Sequence, residues 1–536
     1  MKNMFIYSSC NQAAKIQAAA ILLAMVLSVS PRANAVNVLT GMNDNHRTGA
    51  NTRETILTTT NVNVKQFGKL WSYSVDGAVY AQPLYVSGLS IAGGKHDVLF
   101  VATMEDSVYA FDADTNATFW HVNFTGGGIT PVPIADITGN NNLNIVGDVG
   151  IESAPVIDLK SGTIYLLART MDTTTGAYLQ KLHALDLATG AEKFGGPVTV
   201  DVAGFDPKMG NQRAGLALAN GNIIIAWASH EDMGPYHGWV MAYDARTLKL
   251  VSAFNDTATG GEGGIWQQGR APAVDSSGNV YLISGNGSWD GKTNFGESFL
   301  KFSSNLKLLD WFTPYNWLEL NEHDYDLGAT GPMLIPGTDL VVGGGKRGIL
   351  YVCKTGNLGH IQPGNTQIVQ SLQMATGQLR GGTVYWKSAK LGPLIYNWSS
   401  KDYLKAFHFN GSTIDPTPVA QSSILSPGLP GAFLSISANG GKPGSGIVWA
   451  TMAKDKNDDH GVVAGIVRAF NAENVAVELW NSDQNPDRDD MGNFVKDANP
   501  TIANGKVYIG SYSDIVSVYG LLDGGNHKPA GAAPQN

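Results

Sequence analysis

Cysteine is nearly absent from the chain. The 536 residues hold two, Cys10 and Cys353. No Cys-x-x-Cys-His occurs, which excludes a covalently attached c-type haem. Charge is scarce as well, at 15% of residues, and acids outnumber bases by 45 to 36. The resulting net charge of −9 argues against a nucleic-acid partner, because binding to phosphates needs a basic surface. Long apolar runs are also missing. The longest, Ile16 to Val29, falls short of the roughly 20 residues that span a bilayer. It follows Lys2 and Lys15 and precedes Ala33-Asn34-Ala35, the small-x-small pattern that a signal peptidase cuts. Residues 1–35 are therefore expected to be a secretory signal, with a periplasmic or secreted product that begins near Val36 and has no membrane span. Cleavage removes Lys2, Lys15, Arg32 and no acid, which takes the net charge to −12, and it removes Cys10. An exported chain of this size with Cys353 as its only thiol has no intramolecular disulfide, so its core must hold it together.

What the chain has in quantity is Gly, Thr, Asn and aromatic residues, with no long amphipathic helical pattern. That composition points to short strands and tight turns. One unit recurs along the chain: a small or proline-containing start, an apolar strand, a turn, a second strand and a third. The clearest third strands are Val108-Tyr109-Ala110-Phe111-Asp112, Leu182-His183-Ala184-Leu185-Asp186 and Val240-Met241-Ala242-Tyr243-Asp244. Weaker copies end at Ser303, Lys354, His408, Asn471 and Gly520. From Asp112 to Gly520 there are 408 positions in seven intervals, about 58 each, so eight units fill the chain. Openings such as Gln82-Pro83-Leu84, Ala154-Pro155-Val156, Ala271-Pro272-Ala273, Gly331-Pro332-Met333, Gly392-Pro393-Leu394 and Asn499-Pro500-Thr501 start the units at an edge where proline is tolerated. Trp120, Trp311 and Trp480 fall in or near outer strands, where a large ring fills the widening gap between units. Units that cannot bury both faces alone must stack around an axis. The expected fold is all-β, an eight-bladed β-propeller with four-stranded antiparallel blades over residues 36–522, followed by a polar tail, 523–536. The last unit lacks an outer strand. Gly68 to Val75 can supply it, so that the N-terminal strand pairs with the last blade and leaves no open edge. A parallel β-helix has much shorter repeats.

From about Val62 to Leu522, and most specifically in blades three to five, the chain resembles the quinoprotein dehydrogenases, whose eight-bladed propellers hold pyrroloquinoline quinone and calcium on the axis. His230-Glu231-Asp232, Ser284-Gly285-Asn286-Gly287, His323-Asp324-Tyr325-Asp326-Leu327-Gly328 and Lys346-Arg347-Gly348-Ile349-Leu350-Tyr351 carry the resemblance. It implies Glu231, Asn286 and Asp326 as metal ligands, Asp326 as the catalytic base, Lys346 against the quinone, and Trp266 beneath it. The family's quinone-binding arginine falls near Ile151-Glu152-Ser153, where there is none. Arg213, Arg270 or Arg488 is left to supply the charge, and Arg270 stands nearest Trp266 in sequence. The adjacent-cysteine disulfide of many members cannot form. On these terms calcium receives one carboxylate, one amide and the quinone's own atoms, and a base and a Lewis acid act on an alcohol, sugar or polyol, with a separate electron acceptor.

Taken without the resemblance, the same residues have plainer roles. Asn286 between two glycines suits a tight turn, Asp324 and Asp326 suit a solvated loop, and Lys346-Arg347 an exposed strand end. His230-Glu231-Asp232 with His237 does not match a transition-metal pattern, and Asp483 to Asp490 lacks the glutamate and glycine of a calcium loop. Two other functions stay open, a non-catalytic propeller that binds a protein or glycan and a metal-assisted hydrolase or lyase, because propellers host unrelated functions.

Overall fold

The repeating units fold into eight successive antiparallel sheets around an axis, an eight-bladed β-propeller. The computed structural model describes residues 36–139, 144–455 and 461–522, all within the compact unit Val36–Asn536. The expected signal, 1–35, and the polar tail, 523–536, lie outside the described residues. Inner strands of blades one to eight are Leu84–Ile91, Val156–Asp158, Ala217–Ala219, Ala273–Val274, Met333–Leu334, Val384–Ser388, Ala432–Ser437 and Thr501–Ala503. The third strands include Ser107–Asp112, Ala177–Asp186 and Trp239–Asp244, and all eight contain or end at the positions expected from the repeat, within one residue of Ser303 and Gly520. One opening differs. Gly392-Pro393-Leu394 begins the second strand of blade six, and Val384–Ser388 is the inner one. The sheet of blade two also grows, through Ile129–Pro133 and Asp148–Val149, on the side of the axial cavity described below.

A sheet with one wet face alternates apolar and polar residues. The third strands do not. Every residue of Ser107–Asp112 is buried, and five of the six in Trp239–Asp244. Each blade is covered on both faces by its neighbours, so both sets of side chains are core. Burial of one Val, Leu or Phe stabilises by ~1.5–3 kcal/mol, and clusters spanning adjacent blades repeat this around the ring. The tryptophans of the outer strands bridge blades. Trp120 donates from Nε1 to the Leu187 carbonyl (3.0 Å), and Trp480 packs edge-on against Phe67 at 5.0 Å.

Two devices close the ring. Phe67–Ser74 pairs antiparallel with Ile515–Leu521 as the outer strand of blade eight, in the register Phe67↔Leu521 to Ser74↔Ile515 with a bulge at Lys69–Trp71. The second device was not legible in the repeat. Residues 38–51 make one circuit of the axis and bond to every inner strand in turn. Val38 exchanges two backbone bonds with Tyr85, Leu39 accepts from Ile157, and the Thr40 hydroxyl donates to the Leu216 carbonyl (3.4 Å). Asn45, His46, Thr48 and Gly49 carbonyls accept from Val274, Leu334, Tyr385 and Ile436 at 2.8–2.9 Å, and Asn51 Nδ2 donates to Ile502 (2.9 Å). Fully buried Arg47 ties the circuit to itself and to blade four. It donates to the Pro272 carbonyl from Nε and Nη2 (3.0 and 2.8 Å), and from Nη1 to Thr40 Oγ1 (2.7 Å) and Gly41 O (2.9 Å). Met42, Asn43 and Arg47 have positive φ, a backbone cost that only such dense bonding sustains.

Candidate functional site

Counting back four residues from each inner strand gives Tyr80, Glu152, Arg213, Gly269, Ala329, Arg380, Gly428 and Asp497. The same offset in a ring of blades brings the same level of each blade toward the axis. Arg213, Ala329 and Arg380 line an axial cavity of about 190 Å³, together with Trp266, Gln268, Glu231, Asp232, Asp324, Asp326, Lys346 and Asn144. Glu152 and Asp497 grip Arg213 from two other blades, at 3.8 Å and 2.5 Å. Burial works against the Arg213 charge, but Asp497 and then Glu152 outweigh it and hold the guanidinium above its ordinary pKa. Glu152 is pushed up to about 7 by burial, a rise that Arg213 limits.

Lys346 is the centre of the acidic side. The turn that brings it there needs Gly345, because a Cβ at that position would lie 1.9 Å from the Asp326 carbonyl oxygen. The Lys346 N–H donates to that carbonyl (3.1 Å), and its Nζ meets Asp326 Oδ2 at 2.7 Å and Asp324 Oδ1 at 2.5 Å. Burial alone lowers the Lys346 pKa, yet Asp326 and Asp324 together outweigh it and the net shift is upward. Asn286 completes the cluster. Its backbone N–H donates to Asp326 Oδ1 (2.8 Å) and its Nδ2 to Asp324 (2.9 Å), while its Oδ1 is buried with no protein partner. Gly285 lets these groups meet, since a Cβ there would come within 2.4 Å of Asp326 Oδ1 and 2.8 Å of Trp266 Cδ1.

Trp266 forms an apolar wall, with its Nε1 buried and unpartnered. The Arg213 guanidinium lies 5.8 Å from its ring centroid, and Tyr236 stands edge-on at 6.4 Å. Tyr236 donates to Asp232 at 2.5 Å. Asp232 has its outer edge in solvent, but the protein packed around it and the charge of Asp326 push its carboxyl up to about 6. Behind Asp326, Glu297 accepts from the Leu327 N–H (2.6 Å), and burial followed by Asp326 holds it well above the carboxylate range. Glu231 and Asp232 both have positive φ, so the turn that aims them is strained.

The structure thus brings Glu231, Asp326, Lys346 and Trp266 to one cavity, with Asn286 bonded to its wall. Arg270 is not among the lining side chains. It is fully buried, donates to the Thr383 carbonyl, and is pushed down to about 9 by burial and by Arg47. Of the three arginines weighed for the missing charge, Arg213 lies in the cavity, whereas Arg488 pairs with Asp489 and the Phe67 carbonyl at the closing strand. His230 and His237 diverge. His230 meets Arg169, and His237 meets Thr257 at 3.1 Å. Among the described residues no three His, Cys, Asp or Glu side chains group to hold a metal. Gln268 and Arg380 escaped the motif reading and Asp232 was quoted there without a role, although the offset of four from each inner strand would have found Arg380.

The atoms left over decide what fits. Trp266 Nε1, Gln268 Oε1 and Asn286 Oδ1 are buried polar atoms without a hydrogen-bond partner, and Arg213 Nε has only the longer contact to Glu152; native proteins leave few such atoms. Together with Arg213, Lys346 and Arg380 they suit a planar anionic group laid against Trp266, as pyrroloquinoline quinone is. Asn286 Oδ1 and the Glu231 carboxylate suit a hard cation.

No protein-family model matches the chain, and its sequence matches no curated protein. Solved structures match its fold. The quinohemoprotein alcohol dehydrogenase of Comamonas testosteroni is 17% identical with a TM-score of 0.55, over 97% of this chain and 86% of that one. A europium-containing methanol dehydrogenase is 13% identical with a TM-score of 0.55, over 90% and 98%. BamB from Moraxella catarrhalis is 12% identical with a TM-score of 0.50, over 85% and 99%. The chain therefore has the quinoprotein-type propeller fold, which dehydrogenases and BamB both carry.

Proposed function

We propose that this chain is an exported oxidoreductase that oxidises a hydroxyl-bearing small molecule, an alcohol, sugar or polyol, in the axial cavity, with pyrroloquinoline quinone and calcium. The observation that carries the reading is the set of orphaned polar atoms around Trp266 and Asn286, on a fold shared with alcohol and methanol dehydrogenases. Trp266, Arg213, Gln268 and Lys346 would hold the quinone, and Glu231 with Asn286 Oδ1 the cation. Such a pair supplies a two-electron acceptor and a Lewis acid. The residues themselves do the positioning and the proton chemistry. Asp326 accepts the proton of the substrate hydroxyl, with its carboxylate aimed by the Asn286 N–H and balanced by Lys346. Asp324, on the solvent side of Lys346, can relay that proton outward. A separate acceptor then takes the electrons.

The test begins with apo-protein, calcium and pyrroloquinoline quinone. A bound-quinone absorbance and a raised Tm are expected, because a ligand of the native state stabilises it by mass action. Once a substrate is found, Asp326→Asn should bind quinone as the parent does while turnover falls about 100-fold or more. Saturating quinone with no change in spectrum or Tm would favour a non-catalytic propeller.

A further inference from the structure

Beside the axial mouth lies a second concavity, of about 480 Å³, between a loop of blade four and the short helix Trp317–Glu322. Its walls are two indoles. Trp289 and Trp317 are half-buried, with ring centroids 5.2 Å apart and planes at 40°, and Trp289 is fixed by its Nε1 donating to Thr313 (2.9 Å). Leu318 is 51% exposed at the edge. The rim is polar and uncharged but for one acid. Ser288 and Asn321 accept from neighbouring backbone N–H groups (3.1 and 2.5 Å), and Glu262 is exposed. The volume falls within the ~300–1,000 Å³ of small-molecule sites.

The groove and the axial cavity share one wall. Gly287, on the groove floor, donates to Asn321, while its neighbour Asn286 donates to Asp324 and Asp326. Helix Trp317–Glu322 thus carries the groove's Trp317, Leu318 and Asn321 and runs directly into the turn that carries Asp324 and Asp326. A ligand seated here needs an apolar face for the indoles, hydroxyls at its edge for Glu262, Ser288 and Asn321, and no negative charge of its own. A pyranose ring has all three, with C–H groups on its face and hydroxyls around its rim. A simple aliphatic alcohol would leave the polar rim unmatched.

We infer that this groove binds the non-reacting ring of a neutral saccharide, and that a hydroxyl of the adjoining residue reaches the Asp326–Lys346 cluster. The second half of this statement rests on the proposed axial oxidation; the first does not. Calorimetric titration of the full chain with maltose, cellobiose and glucose reads binding without turnover. At least one disaccharide should bind more tightly than glucose. Trp317→Ala should weaken it about tenfold or more, with Tm unchanged because the ring is half-exposed, and Glu262→Gln should weaken it less. Lys346→Met should weaken the disaccharide less than Trp317→Ala does, while removing any quinone-dependent turnover. If no disaccharide binds the parent chain, or if Trp317→Ala binds as the parent does, the groove assignment is overturned. Loss of binding in Lys346→Met with Trp317→Ala intact would place the sugar in the axial cavity and overturn it too. Groove binding without any quinone binding would leave this inference standing and sink the axial one.

Discussion

The strap of residues 38–51 and the axial cavity are framed by the same eight blades, yet they treat polar atoms in opposite ways. On the strap side no buried side-chain atom of residues 36–55 lacks a partner, and Arg47 alone makes bonds to Pro272, Gly41 and Thr40. On the cavity side Arg213, Trp266, Gln268 and Asn286 each keep a buried polar atom without a hydrogen bond. An unmade buried hydrogen bond costs ~1–3 kcal/mol, so the first region stabilises the ring and the second gives up stability for something that completes it. Gly269 is the seam between them. Its φ is 73°, a Cβ there would lie 2.0 Å from the Asp497 carbonyl oxygen, and a Cβ at Gly41 of the strap would lie 3.8 Å from the Gly269 carbonyl oxygen.

The largest test of this contrast is deletion of residues 37–51. About ten hydrogen bonds at roughly 1 kcal/mol each rival the ~5–15 kcal/mol that holds a typical protein folded. The shortened chain should be insoluble or unfolded by circular dichroism, and a soluble product with the parent Tm would show that the strap is ornamental. Gly269→Ala comes next. With a forced positive φ and a clash at Asp497, it should lose roughly 3 kcal/mol in denaturant titration, and because Asp497 aims Arg213 it should also weaken quinone binding. Parent-like stability would remove the seam. The smallest effect concerns pH. Glu152 titrates near 7 in the fold and near the ordinary 4.5 when unfolded, so its contribution is full below pH 4.5 and lost as pH rises through 7. The Tm of the apo-protein should drift down by a few degrees between pH 5 and 8, and Glu152→Gln should reduce that drift, leaving the part that Asp232 contributes. A Tm that rises over the same range would reverse the assignment.

Much of the ring was legible because it is written eight times. The clearest third strands, such as Ser107–Asp112 and Trp239–Asp244, are nearly continuous apolar runs, since both faces of a blade are core, and the closing strand shows as a lone strand before the first unit. The site was legible only where a motif sits on a turn, as at Ser284 to Gly287 and Asp324 to Asp326. The strap hides in Val38 to Asn51 because its bonds are backbone bonds, which no side-chain pattern records, and the proline at Gly392-Pro393-Leu394 imitates an inner-strand opening it does not make. By itself the sequence determined the number of blades, the places of their third strands and the strand that closes them, because those follow from local periodicity and burial. Only the tertiary structure decided that Arg213 rather than Arg270 or Arg488 faces the cavity, that Lys346 bridges Asp324 and Asp326, and that the strap circles the axis. Those facts depend on which residues of separate blades converge at the centre of the ring, and that convergence is a property of closure around an axis, carried by no single stretch of chain.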